Sequence, residues 1–455
     1  MLKQTLITTA LLAATLPAIA AGEAKNVIFF LGDGMGPTTI TAARIYKYGE
    51  AGSLAMDTLN RTARIKTFSN DGQTTDSAPS MGAYMTGVKM NNEVISMSAD
   101  TKAMESNGKT YTSNCGTANG APAVTLLELA KAKGKAIGAV TTAGVTHATP
   151  ASTYAHTCHR DAEADIATQA VPGGDGFNTK LGTGLDVLLG GGRRFWQPIK
   201  VSGGKRADGR DLTAEMVANG YTYVTTGKAF QAVDAKATNK LLGLFATSHM
   251  DFELDRVEKS LDQPSLSEMA VKAIDVLSKN ANGYVLMVEG GRIDHALHGT
   301  NAKRVMEDTI AFDDAIKAVL AKVDLSNTLI VVTADHDHTM TINGYAKIGN
   351  PILDIVRNYK DGQPALDADG NTYTTLVFGN GPNRPDVRTS VASGKANASQ
   401  ALHDDYMQET GVRLSGETHG GGDVKLFAAG AGKAPFKGTL DNTKVFGLVK
   451  AAAGL

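Results

Sequence analysis

Asn26-Val-Ile-Phe-Phe-Leu31-Gly-Asp33-Gly34 is an unbroken apolar run stopped by glycine and a carboxylate. Continuous rather than alternating apolarity is the pattern of a strand covered on both faces, and the stop places Asp33 at its carboxyl end. Tyr284-Val-Leu-Met-Val-Glu289 repeats the design, and Thr328-Leu-Ile-Val-Val-Thr333 delivers Asp335 and His336 in the same way. Ala136-Ile-Gly-Ala-Val-Thr-Thr142 and Asp186-Val-Leu-Leu-Gly190 also read as strands. Helical periodicity is predicted over residues 38–48, 78–86 (Pro79 tolerated in the first turn), 124–133, 265–278 and 301–322. Such alternation predicts an α/β fold with a large, mostly parallel sheet covered by helices on both faces. Ligands in such sheets bind beyond the carboxyl ends of the strands, where these acids lie.

The alternation breaks between residues 341 and 415, which are polar and turn-rich, as in Asp361-Gly-Gln-Pro, Asp369-Gly-Asn and Gly379-Asn-Gly-Pro. With a short strand candidate at Tyr373-Thr-Thr-Leu-Val-Phe378, this reads as a loop-rich insertion in one domain spanning 21–455. The 455 residues are 42% apolar and 20% charged with a net charge of −1. No basic run calls for a nucleic-acid or membrane-surface partner. Lys3, the apolar residues 6–16 and Ala18-Ile-Ala20 form a secretory signal pattern over residues 1–20, with Ala21 as the first mature residue. Its apolar part is shorter than the ~20 residues a membrane span needs, so export to the periplasm or medium is expected. Cys115 and Cys158 are compatible with one bridge or with two separate thiols.

The chemistry-bearing residues divide by donor type. Asp294 and His298 share one face if their segment is helical, and the Asp335-His336 pair follows a buried strand. His419, among glycines in Glu417-Thr-His419-Gly-Gly-Gly, is a ready third ligand. Imidazole with carboxylate suits zinc, whereas the oxygens of Asp33, Thr149 and Glu289 suit magnesium. Ser77 follows Asp76 at a predicted helix start, where amides favour an anion, although local sequence alone favours a simple N-cap at Asp76 or Ser77. No Ser-His-Asp or Ser-Lys arrangement activates it, but a bound metal is an alternative activator. Arg160 offers a fork that fits a phosphate.

Together these motifs resemble the alkaline phosphatase family over nearly the whole mature chain, from Asn26 to about Phe427. Asp186-Val-Leu-Leu-Gly-Gly-Gly192, Leu241-Leu-Gly-Leu-Phe245 and Pro264-Ser-Leu-Ser-Glu-Met269 extend the match. The wording of Glu289-Gly-Gly-Arg-Ile-Asp294-His is closer to the animal-type branch. The resemblance implies hydrolysis of phosphate monoesters with Ser77 as the phosphorylated nucleophile and Arg160 as the phosphate clamp. It implies two zinc ions and one magnesium per chain. Asp294, His298 and His419 would hold the first zinc, and Asp33, Asp335 and His336 the second. Asp33, Thr149 and Glu289 would hold the magnesium. His338 would orient a zinc carboxylate, with His147 and His295 near the magnesium and phosphate. The insertion resembles the family's crown-like lobe, which implies a homodimer. Phe245-Ala-Thr-Ser-His249 lacks the acid that animal-type members use for calcium, so no fourth ion is expected.

Related hydrolases fit less well. A sulfatase needs Arg two residues after the proline, and position 81 is Met. Phosphodiesterases of this wider group often use threonine as nucleophile and lack the Arg160 context. An exported binding protein without turnover would have lost the serine or a ligand, and none is missing.

Overall fold

The computed structural model describes residues 24–394 and 401–455; the predicted signal segment at 1–20 lies outside the described residues. A ten-stranded sheet runs in the order Gly438–Asp441, Arg61–Lys66, Val424–Gly430, Thr328–Thr333, Asn26–Gly32, Tyr284–Gly290, Ala136–Gly144, Val187–Gly191, Leu241–Leu244, Thr222–Val224. Only Val424–Gly430 runs against the others. The fold is therefore the largely parallel α/β sheet that the apolar runs predict. Its central strands are buried along their length apart from the half-buried Asn26, as a sheet covered on both faces requires.

Strand register explains why the acids converge. Leu31 pairs with both Glu289 and Thr333, and Glu289 also pairs with Thr141. Four neighbouring strands thus end level, and their carboxyl ends carry Asp33, Glu289, Asp335 and the turn leading to Thr149.

Caps trim several predicted helices. Thr125 and Ser265 each form a capping box, with Glu128 and Glu268, so the helices begin two residues and one residue later than predicted, as Leu126–Ala132 and Leu266–Leu277. Asn301 likewise caps Ala302–Lys322. In the 341–415 interval, Met340–Ile342, Leu376–Gly381 and Thr410–Arg413 form a three-stranded sheet. The strand predicted at Tyr373–Phe378 begins three residues later than expected. Thr374 and Thr375 are withdrawn from it by hydroxyl bonds to the carbonyls of Leu376 and Asp354. Cys115 and Cys158 are joined in a disulfide, which settles the alternative left open by their number. Among the described residues no helix is long and apolar enough to cross a membrane.

Candidate active site

Ser77 is the first residue of the helix Ser77–Thr86, all of whose residues are buried. Asp76, not Ser77, is the cap: its Oδ1 accepts from Ala78 N at 2.8 Å. Ser80 Oγ donates to the Asp335 carbonyl at 2.7 Å and Tyr84 Oη to that of Ala334 at 2.9 Å, so the helix docks behind the Asp335 strand end. Ser77 Oγ is left free to face the acids, 3.3 Å from Asp33 Oδ1 and 3.2 Å from His336 Nε2.

The two nitrogen-and-carboxylate sets have the dimensions of metal shells. Ligands about 2.0 Å from a tetrahedral ion lie about 3.3 Å from one another. Around Ser77, His336 Nε2 is 3.4 Å from Asp33 Oδ1 and 3.3 Å from Asp335 Oδ2. In the other set His298 Nε2 lies 3.2 Å from Asp294 Oδ1 and 3.1 Å from His419 Nε2, and His419 Nε2 is 3.4 Å from Asp294 Oδ1. The helix Arg292–His298 puts Asp294 and His298 on one face, as their spacing predicted. Each of the three histidines turns Nδ1 to a backbone carbonyl: His298 to Glu417 at 2.6 Å, His419 to Thr75 at 2.8 Å, His336 to Asp337 at 3.3 Å. Nδ1 is thereby the donor, and Nε2 keeps its lone pair for a ligand.

His338 also sits within ligand distance of Asp294, His336 and His419. Both of its nitrogens are engaged, however, Nδ1 with Glu417 Oε2 at 2.5 Å and Nε2 with Asp294 Oδ1 at 2.8 Å. So engaged, it has no lone pair free for an ion. Burial pushes its imidazolium down, but the bonds to the two carboxylates outweigh this and lift it to about 10.

A third set consists of oxygens. Asp33 Oδ2, Thr149 Oγ1 and Glu289 Oε1 are buried and have no hydrogen-bond partner. Three orphaned oxygens in one place fit a hard cation. His147 offers a nitrogen beside Asp33 and Glu289. Burial pushes Glu289 up to about 7, and burial with the neighbouring Asp33 does the same to Asp335. Asp33 is raised well above the carboxylate range by burial, then by Asp294 and Glu289. Burial also opposes the charge of Asp294, yet the neighbouring imidazoles of His298, His338 and His419 hold it well below that range. So many buried acids are stable as carboxylates only beside cations.

Gly34 shows how tightly the strand end is packed. Its φ is +66°, its N–H donates to Asp335 Oδ1 at 3.0 Å, and a Cβ there would come within 2.4 Å of His338.

Arg160 reaches the serine's flank from the loop after Cys158. It donates through Nη1 to Asp76 Oδ1 at 2.9 Å and through Nη2 to His147 Nε2 at 3.0 Å. Asp76 Oδ2 accepts from Glu93 N at 2.5 Å, so one carboxylate caps the serine helix and steadies the arginine. His295 stands farther back, with Nδ1 accepting from Arg292 at 2.9 Å. His249, to which sequence reading gave no role, completes a ring cluster with it and His147, at centroid separations of 4.3 and 5.2 Å. Its Nδ1 accepts from Gly144 N at 3.1 Å, a contact with no sequence signature.

These rings give the fold an acid limit. Burial holds His295 down to about 4 and His249 to about 2, against an unfolded value near 6.5. Below pH ~6.5 the unfolded chain therefore binds protons that the folded chain refuses. The stability these rings contribute is complete above that pH and is lost as pH falls toward 4, with a slope of at most about 1.4 kcal/mol per pH unit for each ring. The drop in urea midpoint between pH 7 and pH 4 should be smaller in His295→Gln than in the unsubstituted protein, or its rise larger, because the ring that refuses a proton is gone.

The alkaline phosphatase family profile matches residues 24–455. The chain is 37% identical over 440 residues to the tissue-nonspecific alkaline phosphatase of Gallus gallus, covering 90% of this chain and 80% of the relative. It is 35% identical over 446 residues to the alkaline phosphatase of Gadus morhua, with 92% and 89% covered. Among solved structures, the Thermus thermophilus alkaline phosphatase superposes with a TM-score of 0.69 at 26% identity, covering 96% of this chain and 93% of that one. The enzyme from the Antarctic bacterium TAB5 gives 0.66 at 25%, with 94% and 98% covered. Profile, relatives and fold agree on one conclusion: the chain belongs to the alkaline phosphatase family, whose members are phosphomonoester hydrolases.

Proposed function

We propose that this hydrolase transfers the phosphoryl group of a monoester to Ser77 and then to water. The observation that carries the reading is Ser77 Oγ, at a helix N-terminus and within 3.3 Å of both Asp33 and His336. Asp294, His298 and His419 would hold one zinc, Asp33, Asp335 and His336 a second, and Asp33, Thr149 and Glu289 a magnesium. Bound there, the ions supply positive charge that lowers the pKa of a nearby hydroxyl or water and offsets the charge of the transferring group. Ser77 Oγ loses its proton to solvent and attacks phosphorus as the bond to the leaving oxygen breaks, and the departing alkoxide takes a proton from solvent to leave as the alcohol. Water, losing a proton to solvent, then displaces Ser77 from phosphorus; inorganic phosphate is released and Ser77 Oγ regains a proton. The amides at the start of Ser77–Thr86 and the remaining N–H groups of Arg160 accommodate the oxygens. Turnover should rise into the alkaline range, since both attacking oxygens must lose protons. Hydrolysis of a phosphate monoester, a diester and a sulfate ester side by side tests the reading. Equal or greater rates on either of the latter two would contradict it.

Arg160 binds through a geometry that lysine lacks. Arg160→Ala should weaken inhibition by phosphate and lower kcat/KM roughly 10- to 1000-fold, and Arg160→Lys should restore little. Unchanged phosphate inhibition in Arg160→Ala would remove it from the site.

The segment 341–415 is assigned as an insertion through which two copies pair. Ile342, Tyr345, Ile348, Tyr359, Leu366 and Val412 are large apolar side chains exposed on it, which supports burial against a partner. The chain is also read as exported, and the signal pattern and the disulfide support an oxidising compartment. The mature protein should begin at Ala21 and scatter light as a dimer; a monomer's mass would contradict the pairing.

A further inference from the structure

Glu417 takes no part in the reaction above, yet its contacts converge on one ligand set. Its carboxylate is buried; Oε2 meets His338 Nδ1 at 2.5 Å, and Oε1 accepts from Thr339 N at 2.7 Å and Thr339 Oγ1 at 2.6 Å. His338 carries the connection on to Asp294 Oδ1 at 2.8 Å. The backbone of the same residue holds His298, whose Nδ1 donates to the Glu417 carbonyl at 2.6 Å and whose carbonyl accepts from Glu417 N at 3.1 Å. Asn380 then fixes the next residue through two bonds of 2.9 Å, to Thr418 N and Oγ1, immediately before His419. All of these bonds lie on the side of Asp294, His298 and His419 rather than that of Asp33, Asp335 and His336.

We propose that Glu417 is the positioning residue of the first metal centre: it orients Asp294 through His338 and His298 through its own backbone, and so sets the affinity of that centre alone. The proposal rests on the two-zinc reading of the site. Carboxylates that orient ligands from behind typically contribute 10- to 100-fold in metal affinity. The Glu417→Gln substitution keeps size and one acceptor but removes the charge facing His338.

The protein and its Glu417→Gln variant are dialysed against buffers of graded free zinc at fixed magnesium, and bound zinc is counted by elemental analysis. One zinc per chain should leave the variant at a free concentration roughly 10- to 100-fold higher than in the unsubstituted protein, while the second stays. Its kcat should recover as zinc is raised, because the ligands themselves are intact. Equal retention of both ions, or equal weakening of both, would overturn the role. If Glu417→Gln does not fold, Thr339→Val, which removes one donor to the carboxylate, is judged by the same criterion with a smaller shift. An unsubstituted protein that binds no zinc would overturn the reaction itself, an outcome distinct from the others.

Discussion

Ser77→Ala should lower turnover of a phosphate monoester by several orders of magnitude while leaving the fold intact. The hydroxyl is buried and makes its two polar contacts with Asp33 and His336, so its removal deletes the attacking atom without uncovering a cavity. The docking of its helix depends on Ser80 and Tyr84, which the change leaves alone. Residual activity is expected, because Arg160, the helix amides and the ligand sets still stabilise a phosphoryl group attacked directly by water. Loss of a catalytic group that acts as a unit with others is not additive, so Ser77→Ala with Arg160→Ala should fall less than the product of the two effects. Steady-state kinetics checks this. A loss below tenfold in Ser77→Ala would require another nucleophile.

Removal of metal should be as severe. Asp33, Asp335, Glu289 and Asp294 crowd one buried region, and three of them are held toward their protonated forms by burial and mutual repulsion. Without cations that crowding is relieved by proton uptake, and the carboxylates lose their negative charge. Chelation should therefore abolish activity, and zinc with magnesium should restore it. Elemental analysis should find about two zinc ions and one magnesium per chain, from the donor sets alone. Restoration should weaken as pH falls, since proton uptake by the same carboxylates competes with the ions. Full activity in protein shown to be metal-free would refute this.

Strand ends were legible in the sequence because their signal is local. Continuous apolar runs before Asp33, Glu289 and Asp335 can hardly be anything but buried strands, and parallel pairing brings their ends level. The i, i+4 spacing of Asp294 and His298 was likewise readable, conditional on a helix that is present. Which residue faces which neighbour was not. Asp76 reads as a cap and is one, but its hold on Arg160 joins residues 84 apart in sequence. Glu417 stood in a quoted motif without a role, because its carboxylate acts through His338, 79 residues away. His249 drew notice only for what its segment lacked, and its ring neighbours come from two other parts of the chain. The Leu376–Gly381 strand was misplaced by three residues because threonine hydroxyls diverted the predicted start into contacts around Asp354, which β-propensity does not encode.

The central claim is that phosphate passes through Ser77. Enzyme turning over a monoester is quenched in acid, where hydrolysis of a phosphoserine is slow, then digested and examined by mass spectrometry. The account predicts phosphate on Ser77, absent from Ser77→Ala and from metal-free protein. Phosphate on another side chain, or rapid turnover with no covalent phosphate under any quench condition, would contradict it.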